Sequence, residues 1–259
     1  MNARAEDLKW NGSEGHMTWN TDSENLNWLS GGNQVAYTND SYVKFEDNGS
    51  GVVTLVGELV SQGVTVDNSA GCDYTFTGEG TIVGDFCRLT KWGAGTLTIN
   101  TANSFYETKL ERGKLVLGNA GALGSKEVHL YGGTLDLNNQ TIGNQVYVDN
   151  DASIGNGTLE YVMTISSDTT LTLCGELKGE AMISMLPNAT LNLAGNTVSD
   201  KLIYLNSTAS IGNGTINGRV DADTARTLTF FGKTYIRDTG SISGNGIISL
   251  ADNATLVTC

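Results

Sequence analysis

The chain has 259 residues, including 33 Gly, 31 Thr, 25 Asn and one Pro, and its 28 acidic against 15 basic side chains give a net charge of −13. With 39% hydrophobic and 17% charged residues it is too apolar for a disordered acidic chain. It has no apolar run long enough to cross a membrane as a helix, and its acid excess opposes a nucleic-acid surface, which needs a basic face. Gly, Thr and Asn in excess over the good helix formers favour strands and turns.

At the N-terminus, Ala3-Arg4-Ala5 has the small-x-small form that signal peptidase reads. Residues 1–5 are therefore expected to be the remnant of a cleavage region in a secreted protein, and residues 6–50 a cap with the first strands. Trp10, Trp19, Trp28 and Trp92 all fall in the first 92 residues. Two roles fit them, a hydrophobic lid closing the open end of a repeat fold or stacking platforms for glycans, and the lid is favoured because terminal repeats of solenoids are atypical. Cys72 and Cys87 sit in strand-like stretches 15 residues apart, so a disulfide between neighbouring strands and two small buried thiols are both open. With Cys174 and Cys259 they form no CxxC or Cys/His cluster, so no metal site is expected.

Further along, glycines open short alternating strands: Gly95-Thr96-Leu97-Thr98-Ile99, Gly113-Lys114-Leu115-Val116-Leu117 and Gly133-Thr134-Leu135-Asp136-Leu137, starting 18 and 20 residues apart. Internal repeats follow. Ala152-Ser153-Ile154-Gly155-Asn156-Gly157-Thr158 returns at 209–215, an offset of 57, and Ile183-Ser184-Met185-Leu186-Pro187-Asn188-Ala189-Thr190-Leu191 returns in looser form at 248–256. The units run about 134–189 and 190–254, and a third starting at Thr255 suggests a chain trimmed from a longer protein. Strands at this spacing, separated by Asn-Gly turns, predict an all-β parallel β-helix over 51–259, with about 20 residues per coil and inward columns of Leu, Ile and Val.

The stretch Lys91-Trp92-Gly93-Ala94-Gly95-Thr96-Leu97-Thr98-Ile99, with Asn103, Tyr106, Thr108, 113–117 and Asn119-Ala120-Gly121-Ala122-Leu123-Gly124, resembles the autotransporter-associated β-strand repeat of bacterial passenger regions. The earlier segments Met17-Thr18-Trp19-Asn20, Asn27-Trp28, Val43-Lys44-Phe45 and Thr75-Phe76-Thr77-Gly78 are similar to what commonly leads into it. Glu107 and Glu111-Arg112 depart from the pattern. The resemblance covers about residues 17–125 and implies a right-handed β-helix (solenoid), secretion and display at an outer membrane or cell surface, but no activity.

Catalytic signatures are sparse. His16 and His129 have no nucleophile at suggestive spacing, and His129 alternates with Val128 and Leu130, so it should face solvent. Asp149 with Asp151 and Asp221 with Asp223 are Asp-x-Asp pairs, but the first does not recur under the 57-residue offset, and solvated turn carboxylates are expected. Nine Asn-x-Ser/Thr sequons read as corners followed by strands. No catalytic residue and no cofactor is expected. The leading expectation is a non-enzymatic secreted or surface passenger with a structural or adhesive role, acting on surface glycans or host proteins. The alternatives are a carbohydrate-binding or carbohydrate-active β-helix and a filament that associates end to end. No nucleic-acid partner and no membrane insertion are expected.

Overall fold

The computed structural model describes residues 7–12, 17–237 and 240–258; Ala3-Arg4-Ala5, His16 and Cys259 lie outside them. Every regular element among the described residues is a strand, and the strands stack in parallel from coil to coil as a β-solenoid. Contacts divide the chain into two compact units, residues 1–128 and 129–259.

In the first unit one column runs Asp7–Trp10, Ser41–Phe45, the second half of Glu58–Asp67, Arg88–Trp92 and Glu107–Leu110, all parallel. A second column runs Thr18–Trp19, Gly51–Leu55, Tyr74–Gly78, Thr96–Ile99 and Lys114–Leu117. Among the described residues, parallel pairing is already present at Asp7. Antiparallel pairing is seen where Trp28–Ser30 lies against Asp7–Trp10 and against Asn33–Val35. Alternation sends every second side chain inward, as the burial of Thr96–Ile99 and Lys114–Leu117 shows.

The second unit is more regular. One column links Thr134–Asp136, Ala152–Gly155, Thr170–Leu173, Thr190–Asn192, Ala209–Asp221, Thr227–Ile236 and Ile247–Leu250. Ala152 sits under Leu171, Leu171 under Leu191 and Leu191 under Ile211, so coils advance by 19 or 20 residues and the repeated segments lie three coils apart. In the final coil Ile247, Ile248 and Leu250 are exposed.

The repeat has a physical cause at the corners. Asn156 and Asn213 occupy left-handed backbone (φ 61° and 60°), and each amide donates to the side chain one coil earlier, Asn156 to Asp136 at 3.1 Å and Asn213 to Asn192 at 3.3 Å. A Cβ on the glycine of the following coil, Gly175 or Gly232, would lie 1.7 Å from the Asn Oδ1. Each corner therefore needs an Asn that tolerates positive φ and, above it, a residue without a side chain.

The Lys91-Trp92-Gly93-Ala94-Gly95 stretch has a comparable cause. Lys91 occupies an inward position between Val66 and Leu110 and is fully buried. Its Nζ donates to the carbonyls of Trp92 and Gly93, both at 2.8 Å, so it ties down the corner that follows it. Gly113 in the next coil leaves room for that ammonium, since a Cβ there would lie 2.9 Å from Nζ and 2.4 Å from the Gly95 carbonyl. Lys201 in the second unit is likewise buried, donating to the Leu159 carbonyl at 3.0 Å.

Burial pulls both ammonium groups down from the ordinary 10.5 to about 8. Between pH 8 and 10.5 the unfolded chain therefore binds more protons at these lysines than the folded chain, and stability rises with pH across that window. The buried Cys87 thiol, pushed up from 9.0 to about 12, acts in the opposite sense above pH 9. The urea midpoint is expected to increase between pH 7.5 and 9, and to increase less in Lys91→Met; equal slopes in the two proteins would contradict the assignment. At the repeat corner, Gly175→Ala should cost about 1–2 kcal/mol in urea unfolding, and clearly less in an Asn156→Gly background, where the displaced amide is gone.

Candidate functional site

Trp10, Trp19 and Trp28 are fully buried with Tyr37, Phe45, Tyr74 and Phe76 in one aromatic cluster. Their ring centroids lie 5.0 to 6.2 Å apart, mostly edge to face. Trp10 Nε1 donates to the Gly49 carbonyl at 2.9 Å. These three tryptophans present no face to a glycan. Trp92 departs from the expected group: it is 46% exposed and lies outside the cluster. Alternation in Arg88–Trp92 gives the inward places to Leu89 and Lys91, so the tryptophan falls on the surface.

Of the two readings left open for Cys72 and Cys87, the structure has free thiols, with Cys87 buried and Cys72 partly exposed. Cys72 lies in the turn before Tyr74–Gly78, bonded through its backbone to Ser69 and Asn68. Cys87 closes a different corner, the Gly84–Cys87 turn, with its side chain fully buried. Spacing in sequence placed them on adjacent strands, whereas the coil sends them to separate corners.

The Asp149–Asp151 pair is divided between two neighbouring coils by its partners. Asp149 accepts from His129 at 2.8 Å, one coil earlier, while Asp151 accepts the amide of Thr170 at 2.7 Å, one coil later. Asp221 pairs with Arg219 at 2.8 Å. His129 is not simply solvated: its ring stacks on Tyr147 at 4.9 Å and on Tyr131 at 6.0 Å. Among the described residues no three His, Cys, Asp or Glu side chains converge as metal ligands would.

The surface feature that stands out lies on the outer face of the first unit, where the sequence pointed to residues such as Tyr106 and Glu107 for the family resemblance and to no site. From Val64 to Leu89 the coil advances 25 residues, and from Leu89 to Thr108 only 19. Two of the six extra residues lie in the corner between Val66 and Tyr74, and four lie between Phe76 and Leu89, the stretch that holds the strand Thr81–Val83 and the tight turn Gly84–Cys87. Gly84 has φ 150°, and a Cβ there would lie 2.2 Å from the Ser61 carbonyl, so this turn rests directly on the previous coil. It points Cys87 inward and Phe86 outward, 67% exposed. In the next coil the Tyr106 amide donates to the Cys87 carbonyl at 2.7 Å, Phe105 turns inward and Tyr106 is 43% exposed. The two outward rings lie 5.6 Å apart at 59°.

Depressions surround these rings. One of about 770 Å³ has Asp40, Glu58, Asp85, Ser104 and Lys126 on its walls, with Phe86 and Tyr106. A second of about 560 Å³ joins it at Gln62 and Phe86 and runs along the outward row Tyr42, Gly63, Arg88. Gly63 opens this row, because a Cβ there would meet the Tyr42 ring at 3.2 Å. Arg88 bridges to Glu107 at 2.7 Å and lies 5.9 Å from the centre of the Tyr106 ring. Lys44 and Lys9 beside Glu46 hold its carboxyl below the usual carboxylate range. In this arrangement the exposed rings offer apolar area and the carboxylates beside them accept hydrogen bonds.

No protein-family model, curated protein or solved structure matches this chain.

Phe86→Ala and Tyr106→Ala should each leave urea stability within about 0.5 kcal/mol, as for exposed side chains away from packing. Gly84→Ala should cost more than about 2 kcal/mol, because a Cβ would collide with backbone. Parallel denaturation curves of the three variants check this contrast.

Proposed function

We propose that this chain is a non-enzymatic β-helix of the passenger or stalk type, secreted or displayed at a cell surface, with an adhesive role. The observation that carries this reading is the exposed Phe86–Tyr106 face on the first unit's coils, with its flanking depressions. A solenoid suits such a role because its strands repeat a rigid outward surface and leave corner turns free to carry binding side chains. The −13 net charge keeps such a protein soluble and discourages lateral association. The resemblance around residues 91–124 to passenger repeats supports an extracellular location.

Carbohydrate binding is the second reading. It is favoured by one feature of this face, aromatic rings beside several carboxylates in one depression.

The test uses beads coated with the purified chain, flowed over mammalian and bacterial cell layers while soluble reducing ends are assayed. Retention above that of albumin-coated beads, without release of reducing ends, is expected. Beads that wash off every layer would overturn the adhesive role, and accumulating reducing ends would overturn the non-enzymatic one.

A further inference from the structure

We infer that the depression beside Phe86 and Tyr106 is a binding site for a neutral oligosaccharide lying across adjacent coils. This rests on the adhesive reading above and goes further by naming the ligand class and its contacts. Phe86 and Tyr106 come from successive coils, and strands of neighbouring coils are spaced about 4.8 Å apart. Their rings therefore form two steps of a platform, with centroids 5.6 Å apart. Sugars present apolar C–H faces to such rings, and because both side chains are anchored by buried neighbours, Cys87 and Phe105, little ordering is needed on binding.

The polar walls select the ligand's charge. Asp40, Glu58 and Asp85 line this depression against a single cation, Lys126. Ionised carboxylates are acceptors only, so they match the hydroxyl donors of a neutral sugar and repel the carboxylates of an acidic one. Asp40 accepts one bond from Gln62 at 3.3 Å and keeps further acceptor positions. An acidic polysaccharide would face like charge across this wall, and a purely apolar ligand would desolvate three carboxylates without supplying donors for them. The depression, about 770 Å³, is also large enough for several sugar units.

The test is isothermal titration of the full chain with hexamers of β-1,4-glucose, α-1,4-glucose, β-1,4-mannose and β-1,4-xylose, and with a hexamer of galacturonic acid as the anionic comparator. The expected result is saturable binding of at least one neutral hexamer, at least tenfold weaker binding of the galacturonic acid hexamer, and at least tenfold loss in the Phe86→Ala/Tyr106→Ala double variant. Circular dichroism melts superimposable on the parent show that this variant is folded. As an independent probe of the wall, Glu58→Gln should narrow the gap between neutral and acidic hexamers. Absence of binding by all neutral hexamers overturns the inference. So does equal affinity for the acidic hexamer, or a folded double variant that binds as the parent does. If the coated beads still adhere in any of these cases, the ligand class or site is wrong and the adhesive role stands. If the beads fail as well, both readings fall.

Discussion

Everything in this fold depends on coil register. Each strand satisfies its backbone N–H and C=O groups on the strands of the coils before and after it, so a coil that slips loses its hydrogen bonds along the whole column and turns its apolar side chains outward. Register in turn requires that corners lie almost directly on top of one another. Backbone then meets backbone at distances where a Cβ has no room, as at Gly84 against the Ser61 carbonyl or Gly113 against the Gly95 carbonyl. The glycine and asparagine excess is the compositional trace of this constraint.

Two devices meet it, a buried lysine and a corner asparagine beneath a glycine. In the second, an Asn in left-handed backbone reaches one coil back, and a glycine one coil ahead makes room for it, as in the series Asp136, Asn156, Gly175. In the first, Lys91 binds the corner carbonyls from inside the core. A buried ammonium without a carboxylate at hydrogen-bonding distance is an expensive clamp, and burial accordingly draws its proton affinity down. Its benefit is directional: three donors fix the path of a turn that an aliphatic side chain would leave unspecified.

Variation in coil length links this scaffold to function. A coil of minimal length has corners only as large as the stacking demands. The 25-residue step from Val64 to Leu89 exceeds that, and most of its surplus falls between Phe76 and Leu89, the stretch whose Gly84–Cys87 turn exposes Phe86. Binding residues placed this way can change without disturbing the column beneath, because Leu89 and its neighbours carry the packing. The rings beside the carboxylate-lined depression are therefore a local elaboration on a regular core, the kind of position where solenoids carry recognition.

The sequence alone determined the class of fold: strands at 18–20-residue spacing, Asn-Gly corners and the repeat of 152–158 at 209–215 require a stack of parallel coils, because only stacking gives such short strands partners. It also showed that Leu97, Ile99, Leu115 and Leu117 face inward, since alternation is a local property of strands and their shared apolar type sets its phase. Other features needed the tertiary structure. Alternation gives relative phase but not which phase faces the core, so Lys91 inside and Trp92 outside could not be read from type. Cys72 and Cys87 were near in sequence and strand-like, yet the coil distributes successive segments to different corners. His129 found Tyr147 and Asp149 only because a coil later returns to the same position on the face. The Phe86–Tyr106 platform was hidden for the same reason: its two rings, 20 residues apart along the chain, become neighbours only when the register of adjacent coils is set.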